Sequence, residues 1–318
     1  MIDLHTHSSA SDGDLKPARL VEKAGLLGLK ALALTDHDTI SGLAEAENAA
    51  KDKGIRFIPG VELEIQTEFP TEITVVGGEF HLLGLGISRL CDEFLAALTY
   101  LEDARERRNR KMVEKIREAG IDADYEDIKA FAGALADDTT AHGGLSDGVT
   151  SGTAGGARQG KLIVGRPHFG AFLISRKVAK DQEQAFKRWL GKDRPFYVPK
   201  EGLNFSDASR LIHRCGGAAV LAHPMSLYVS WGRLPRLLAY LKDNGLDGIE
   251  AWHPTARVGD CKRLEELGRS LGLFITAGSD FHGSARPERK LGYTAGNREI
   301  EDGFLAGLHC VPVSGSGV

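Results

Sequence analysis

The chain has 318 residues, an apolar content of 42%, and 40 basic against 44 acidic residues, for a formal net charge of −4. This length suits one large domain or a domain with an inserted second one, and the nearly balanced charge gives no electrostatic basis for wrapping a nucleic-acid duplex. No apolar run approaches the roughly 18 residues of a membrane span, and the four scattered cysteines favour reduced thiols and a cytoplasmic location.

The first part of the chain alternates strands and helices with short connections. After a short apolar strand at residues 1–4, helices are predicted at 17–27 and from about 39 or 41 to 53, with strands at 30–34 and 56–59. This order is typical of a parallel α/β sheet. Residues 62–66, 73–77 and 79–85 then predict a strand and a hairpin without an intervening helix.

The middle of the chain, residues 101–200, is predicted to be a mainly helical insertion. A long helix from about 91 to 120 carries a basic cluster, for which a solvated helix face is favoured over a nucleic-acid grip because acids are interleaved: Arg105, Arg107, Arg108, Arg110 and Lys111. A helix at 124–133 precedes the Gly/Ser-rich segment 137–160, which is either a disordered spacer or a lid. Order is predicted to resume at 161–164. A helix starting at 165–168, a helix at 181–190 and an extended piece at 195–200 follow.

The α/β alternation returns after residue 200. Helices at 206–215, 234–244 and 260–271 alternate with strands at 218–221, 248–251 and 274–277. We therefore expect a discontinuous domain, 1–100 and 201–295, followed by a C-terminal tail, 296–318, that is frayed at 314–318.

Imidazoles and carboxylates recur at or near the predicted strand ends. His5 and His7 are two residues apart in a strand and so point to the same side. Sites in α/β folds form at the carboxyl ends of strands, so nine donors are expected to converge: His5, His7, Asp12, His37, Glu62, His81, His223, Asp280 and His282. Nine exceed the three or four ligands of one zinc-like ion and suit two or three divalent ions.

Other chemistries find no matching motif in the sequence. No GxSxG elbow stands at a predicted strand end, and the sequence has no GxGxxG and no GxxxxGK[ST], so neither a nucleophilic serine nor a bound nucleotide cofactor is indicated. His253 also stands at a strand end, where an aromatic shelf with Trp252, support of a ligand and ligation remain open. His142 is interpreted as incidental, and His213 and His309 as structural.

The motifs occur in the order of a known family. They are His5-Thr6-His7, Asp12, Thr35-Asp36-His37-Asp38, Gly60-Val61-Glu62, His81-Leu82-Leu83-Gly84, Ala222-His223-Pro224 and Ser279-Asp280-Phe281-His282. This set resembles the polymerase and histidinol phosphatase (PHP) superfamily. The resemblance implies a distorted (β/α)7 barrel, two or three divalent ions (Mn²⁺, Fe²⁺ or Zn²⁺), and phosphoester hydrolysis by a hydroxide held between ions.

The resemblance also implies a grouping of the ligands. One ion would take His5, His7, Glu62 and Asp280. A second would share Glu62 and add His81 and His223, and a third would take Asp12, His37 and His282.

Two further motifs, Arg166-Pro167-His168 and Tyr197-Val198-Pro199-Lys200, resemble the branch of stand-alone PHP phosphoesterases that act on nucleotides and related small phosphates. Arg166 offers a planar fork for a phosphate and Lys200 a point charge. His168 is the candidate for protonating the leaving oxygen or holding the substrate phosphate. The alternatives are ordinary surface charge for Arg166 and Lys200, and a helix-start residue bonded to the backbone for His168.

The main functional hypothesis is a metal-dependent phosphoesterase for a small phosphorylated metabolite, a nucleoside 3',5'-bisphosphate or the 5' end of a short oligonucleotide. A small cyclic phosphodiester is a close variant. A C–N amidohydrolase is less favoured, because the sequence shows no evident strand-end lysine for carbamylation. A non-catalytic metal-binding module is disfavoured by the complete ligand set.

Overall fold

The computed structural model describes residues 1–66, 78–141 and 164–310, with only the backbone of 134–141 and 309–310. One seven-stranded sheet follows the order of the chain. Its strands are β1 (Ile2–Asp3), β2 (Ala31–Leu34), β3 (Arg56–Glu64), β4 (His81–Leu85), β5 (Ala218–Leu221), β6 (Gly248–Trp252) and β7 (Phe274–Ala277). A small second sheet pairs β8 (Tyr293–Thr294) with β9 (Arg298–Glu299).

The α-helices of the described ranges pack around this sheet or form a separate cluster in the middle of the chain. They are α1 (Pro17–Leu26), α2 (Leu43–Lys53), α3 (Asp92–Glu118), α4 (Tyr125–Ala141), α5 (Arg166–Ser175), α6 (Gln182–Ala185, continued by a π-helical turn Phe186–Leu190), α7 (Phe205–Arg214), α8 (Leu234–Asp243) and α9 (Val258–Ser270). Strands β2 and β5 are buried at every position, because helices cover the outer face of the sheet.

The sheet curls into a nearly closed barrel. Strands β1, β2 and β3 pair in parallel, as do β5, β6 and β7, whereas β4 runs antiparallel to β3 and β5. The chain beyond β1 meets the chain beyond β7 through a parallel bridge between Thr6 and Phe281. There the His7 amide donates to the Phe281 carbonyl and the Asp280 amide to the His5 carbonyl, both at 2.9 Å. The distorted (β/α)7 barrel predicted from the sequence is confirmed.

Strand β3 differs from its prediction because it is continuous. Residues 56–59 and 62–66 were expected to form separate strands, but Arg56–Glu64 is one strand that changes partner midway. Its first four residues pair with β2 and the rest with β4. The change occurs at Gly60, where a Cβ atom would lie 2.8 Å from Thr35 Cγ2 and 2.9 Å from the Gly84 carbonyl oxygen. The predicted strand 73–77 lies outside the described residues.

The helices after α3 have their own core. Buried apolar side chains between Met112 and Phe196 form a cluster separate from that of the barrel, and α3 contributes to both. This arrangement supports a helical subdomain, although the exact limits 101–200 stay a prediction. Helix α4 continues to Ala141 instead of ending at 133, so the predicted Gly/Ser-rich segment begins as helix. Its remainder, with His142, and positions 161–163, where order was predicted to resume, lie outside the described residues.

The predicted C-terminal tail is in part packed against the barrel. Ile300 is fully buried, its carbonyl accepts the Ile2 amide at 2.9 Å, and its amide donates to the Gly292 carbonyl at 2.9 Å. Burial of an isoleucine side chain and pairing beside β1 keep the chain on the barrel as far as residue 300 at least. Residues 311–318 lie outside the described part. Within that part, no helix combines the length and the apolarity that crossing a bilayer requires.

Candidate metal centre

The barrel brings all nine predicted donors to one end. The carboxyl ends of the parallel strands open there, carrying the donors that follow β1, β2, β5 and β7. His81 reaches the same end differently from the prediction, because it begins β4 and this strand runs antiparallel, opposite Glu64. Within the described residues, donor atoms cluster in three groups: His5, His7, Glu62 and Asp280; His7, Asp12, His37 and His282; and His37, Glu62 and His81.

The first group surrounds one point with four acceptor atoms. His5 Nε2 and His7 Nε2 are 3.1 Å apart, and His7 Nε2 lies 3.2 Å from Glu62 Oε2 and 3.1 Å from Asp280 Oδ1. His5 Nε2 lies 3.3 and 3.4 Å from the same two oxygens. Ligands about 2.0–2.1 Å from an ion in a tetrahedron are roughly 3.4 Å apart, so the four atoms fit a divalent metal.

Glu62 presents its other oxygen to a second set of rings. Glu62 Oε1 lies 2.9 Å from His81 Nδ1 and 3.0 Å from His223 Nε2, and these two nitrogens are 3.3 Å apart. His37 Nδ1 approaches Glu62 Oε2 at 3.1 Å. The carboxylate is therefore placed to bridge two ions, as the sequence-based grouping expects.

The third group surrounds Asp12. Its Oδ1 lies 3.3 Å from His282 Nε2 and 3.9 Å from both His37 Nε2 and His7 Nδ1. The buried His282 Nε2 and His7 Nδ1 atoms have no hydrogen-bond partner in the described part of the chain, which is costly unless another group satisfies them. A cation beside Asp12 would satisfy both, so these residues too fit a divalent ion.

The three donor groups share more residues with one another than the predicted ligand sets do. His37 approaches both Glu62 and Asp12, and His7 directs one ring nitrogen at each of two groups. The contacts therefore divide the donors less cleanly than the predicted sets for three ions.

Electrostatics favour cations throughout the cluster. Burial raises the pKa of Glu62, but His37, His81 and His5 outweigh it and hold that pKa well below its usual range. Burial lowers the pKa of His7 and His81, yet the facing carboxylates raise these two pKa values to about 9 and about 10. Without another cation the rings must hold protons to balance the acids, and metal binding displaces such protons.

Glu250 is a supporting residue that the sequence analysis missed. Its Oε1 faces His5 Nδ1 at 3.0 Å, which directs His5 Nε2 towards the first group, and its Oε2 accepts the His223 amide at 2.8 Å. A carboxylate that orients a metal-binding imidazole is a recurrent feature of metal sites. The available signal was a single acid within the apolar strand Gly248–Trp252.

The backbone is strained at two of the strand ends. His223 has φ 28° and Asp280 has φ 50°, conformations that cost non-glycine residues of the order of 1–3 kcal/mol. The contact of Glu250 with the His223 amide and the bond from the Asp280 amide to the His5 carbonyl hold these conformations. The strain directs both side chains into the centre.

His253 contacts the centre through a donor. Its Nε2 lies 3.2 Å from Asp280 Oδ2, and its Nδ1 lies 2.8 Å from Thr255 Oγ1. Arg289, which the sequence analysis did not single out, is buried and pairs with the same Asp280 oxygen. Both contacts place these residues beside the carboxylate, as supports for its position.

The centre forms the floor of a cleft of about 330 Å³ with cations on its wall. Arg166 lines the cleft and pairs with Glu79 at 2.9 Å, and Lys200 lines it and pairs with Glu64. His168 does not line the cleft. Its Nδ1 accepts a hydrogen bond from the Gly165 amide at 2.9 Å, at the start of α5. Its predicted role in protonating the leaving group stays a prediction.

The basic cluster of α3 divides between solvent and cleft. Arg107 and Arg110 are exposed, as a solvated helix face predicts. Arg105 and Arg108 instead line the cleft, and Arg108 is only 4% exposed. For these two the predicted solvated face is wrong, because this side of α3 faces the cleft, where Arg105 pairs with Asp38. Their spacing of three residues, in line with the apolar stripe through Leu101, was the signal.

Known proteins with similar sequences agree with the metal-binding character of the site. Residues 3–136 match the PHP domain model. The chain is 32% identical to a 5'-3' exoribonuclease of Haemophilus influenzae, over 88% of this chain and 89% of the relative. It is 30% identical to a 3',5'-nucleoside bisphosphate phosphatase of Chromobacterium violaceum, over 92% and 91%. The chain belongs to the PHP domain family.

Solved structures place other proteins on the same fold as this PHP family chain. One described as a metal-dependent phosphoesterase, from Bifidobacterium adolescentis, is 25% identical and superposes with a TM-score of 0.76, covering 97% of this chain and 95% of that one. An amidohydrolase from Chromobacterium violaceum, solved with sulfate and no metal, is 28% identical with a TM-score of 0.75, covering 95% and 92%. The predicted family and the predicted class, a metal-dependent phosphoesterase, are confirmed.

Proposed function

We propose that this phosphoesterase removes one phosphate from a nucleoside 3',5'-bisphosphate. The observation that carries the proposal is the shared carboxylate of Glu62, which joins two donor groups on the floor of a cleft whose wall carries arginine and lysine. The bisphosphate phosphatase of Chromobacterium violaceum, related over nearly the whole chain, supports the choice of substrate.

The nine donors would hold two or three divalent ions. Imidazole nitrogens with carboxylate oxygens suit Mn²⁺, Fe²⁺ or Zn²⁺. His5, His7, Glu62 and Asp280 would hold one ion, and the sets around Glu62 with His81 and around Asp12 would hold the others. When bound, such ions supply a nucleophilic water at neutral pH and neutralise charge on the phosphoryl oxygens.

The wall residues would position the substrate. Arg166 can present two parallel N–H groups to a phosphate, and Lys200 a single charge. Each is held beside an acid, Glu79 or Glu64, so each side chain is ordered before substrate arrives. His168 at the start of α5 is our candidate for protonating the leaving oxygen. The cleft volume of about 330 Å³ lies in the range of small-molecule sites.

A short oligonucleotide bound by its 5' end is the second candidate. A further cavity of about 640 Å³ adjoins the cleft and shares Arg166, Lys200 and Tyr228 with it. Tyr197 and Phe186 also line this cavity, and aromatic rings can stack bases without sequence preference. The relative named as a 5'-3' exoribonuclease supports this candidate.

The setting proposed for the enzyme is cytoplasmic, with a small phosphorylated substrate and no duplex nucleic acid. Cys91, Cys215 and Cys261 are free thiols, which is typical of reducing compartments. The net charge of −4 supports the expectation that no duplex is bound.

The test measures, by chromatography, the hydrolysis products that the Mn²⁺-loaded protein forms from four substrates. These are inorganic phosphate from adenosine 3',5'-bisphosphate, mononucleotide from a short 5'-phosphorylated oligoribonucleotide, the ring-opened phosphomonoester from a cyclic phosphate, and the free amine from an amide. We expect the bisphosphate to have the highest kcat/KM and the amide to be inert. Metal analysis of the same preparation should give at least two divalent ions per chain. Fewer than two ions, or a preference for another substrate class, would overturn the respective part of the proposal.

A further inference from the structure

Arg108 is a buried cation on the wall of the cleft. It lies on α3, is 4% exposed and lines the same cavity as the donors His37, Glu62 and His81. Burying a guanidinium is costly unless an opposite charge or a full set of hydrogen bonds compensates it. The partners of Arg108 therefore decide what this residue is for.

Within the described residues, Arg108 forms no ion pair with a carboxylate. The charge of each neighbouring cation in the cleft is balanced by an acid: Arg105 pairs with Asp38, Arg166 with Glu79, and Lys200 with Glu64. Arg289, which also lines the cleft, pairs with Asp280. Arg286, which follows β7, also lacks such a pair among the described residues, but it is only half-buried, whereas Arg108 is 4% exposed.

The Arg108 side chain is nonetheless held in place. Its Nε and Nη2 donate to Asn109 Oδ1 at 3.2 and 2.7 Å. Asn109 in turn donates to the Tyr125 hydroxyl at 3.1 Å and to the Val164 carbonyl at 2.8 Å. These contacts use two of the five N–H donors of the guanidinium, which leaves a fixed charge with unused donors.

The electrostatic surroundings of Arg108 favour the binding of an anion beside it. Burial, together with the like charges of Arg105 and Arg166, lowers the pKa of Arg108 to about 9, although the acids Glu64 and Asp38 act in the opposite direction. The guanidinium is still charged at neutral pH. An anion bound beside it would relieve both the burial and the repulsion.

We propose that Arg108 binds the second phosphate of the substrate, the one that the enzyme does not hydrolyse, while the other phosphate lies at the metal centre. This inference rests on the proposed function, since it requires a substrate with two phosphates. Arg105, anchored by Asp38 and lining the same cleft, adds a second positive charge on this side. The pair makes the enzyme selective for bisphosphates over monophosphates.

The test uses the metal-loaded, full-length protein with hydrolysis of p-nitrophenyl phosphate as the reporter. The inhibition constant of adenosine 3',5'-bisphosphate is divided by that of adenosine 5'-monophosphate and of adenosine 3'-monophosphate. For wild type we expect the bisphosphate to inhibit more strongly by about 10- to 100-fold, the range that charge-assisted hydrogen bonds to one phosphate provide.

Arg108→Met should reduce this preference to near one, because methionine fills much of the space without charge or donors. Arg108→Lys should restore part of it, since lysine keeps the charge but not the fork. Arg107→Met is the matched control, because Arg107 is on the same helix, is exposed and pairs with Glu201 outside the metal cleft. It should keep the wild-type ratio.

A purely structural role for Arg108 would weaken all three inhibitors alike and leave their ratios unchanged, which would overturn the proposal. So would a wild-type enzyme without preference for the bisphosphate. Should Arg108→Met not fold, as thermal unfolding would show, the ratio for Arg108→Lys decides. Release of phosphate from the bisphosphate itself is measured separately, so that failure of the proposed function is distinguished from failure of this inference.

Discussion

The floor of the cleft, formed by the nine donors, and its wall, formed by Arg105, Arg108, Arg166 and Lys200, are held in different ways. Most floor side chains stand at or close after strand ends that barrel closure fixes, and a single carboxylate, Glu62, contacts five imidazoles. Wall side chains come from helices and an extended segment, and each rests on one or two partners. The floor is thus a mutually dependent unit, whereas the wall is a set of separable contacts.

Glu62 is the donor that contacts the most floor residues, so its substitution tests most directly whether the floor acts as a unit. Glu62→Gln removes the bridging charge with little change of shape, so we expect activity to fall by about 1,000-fold or more. Metal content should fall with it, as measured by elemental analysis. Glu47→Gln, an exposed glutamate paired with Lys51, is the control. Retention of both activity and metal by Glu62→Gln would show that the floor does not act as a unit.

Loss of the support that Glu250 gives to His5 should have a smaller effect on activity than loss of the Glu62 charge. Glu250→Gln weakens the orientation of His5 while leaving every proposed ligand in place, and substitutions at such positions typically cost 10- to 100-fold in metal affinity or activity. We expect the Mn²⁺ concentration for half-maximal activity to rise accordingly, with recovery of activity at saturating metal. An unaltered metal requirement would contradict the role assigned to Glu250.

On the wall, Arg166→Ala should act on the substrate without disturbing the metals. We expect KM for the phosphorylated substrate to rise by about 10- to 100-fold, because a charge-assisted, forked contact with phosphate is lost. Metal content should match wild type in elemental analysis. If metal were lost to the same extent, Arg166 would support the metal centre and would not act through substrate binding alone.

Lys200→Met should give the smallest change. The Lys200 ammonium is a single charge already paired with Glu64, so we expect KM to rise by only about three- to tenfold. Steady-state kinetics at two ionic strengths would check this, since a loss of charge attraction also weakens the salt dependence. A larger rise in KM than that of Arg166→Ala would show that Lys200 contributes more to substrate binding than Arg166 does.

Much of the floor was predictable because residue type and local position are enough there. His5 and His7, two residues apart in a strand, must share a side, and donors that follow parallel strands must meet at one edge. His81 was identified for its residue type, although it begins its strand instead of ending it. Glu250 was missed because an acid inside an apolar strand shows no partner until His5 of a distant strand is beside it.

The sequence by itself determined the chemistry of this protein: the nitrogen and oxygen donors, the parallel strands that collect them, and the family to which they belong. The tertiary structure alone decided which cations face the substrate, because helix periodicity groups Arg105 with Arg108 but does not say what that side of α3 packs against. Only the fold of the insertion over the barrel encloses Arg108 in the cleft. Local pattern arises from backbone geometry, whereas enclosure arises from contacts between segments far apart in the chain.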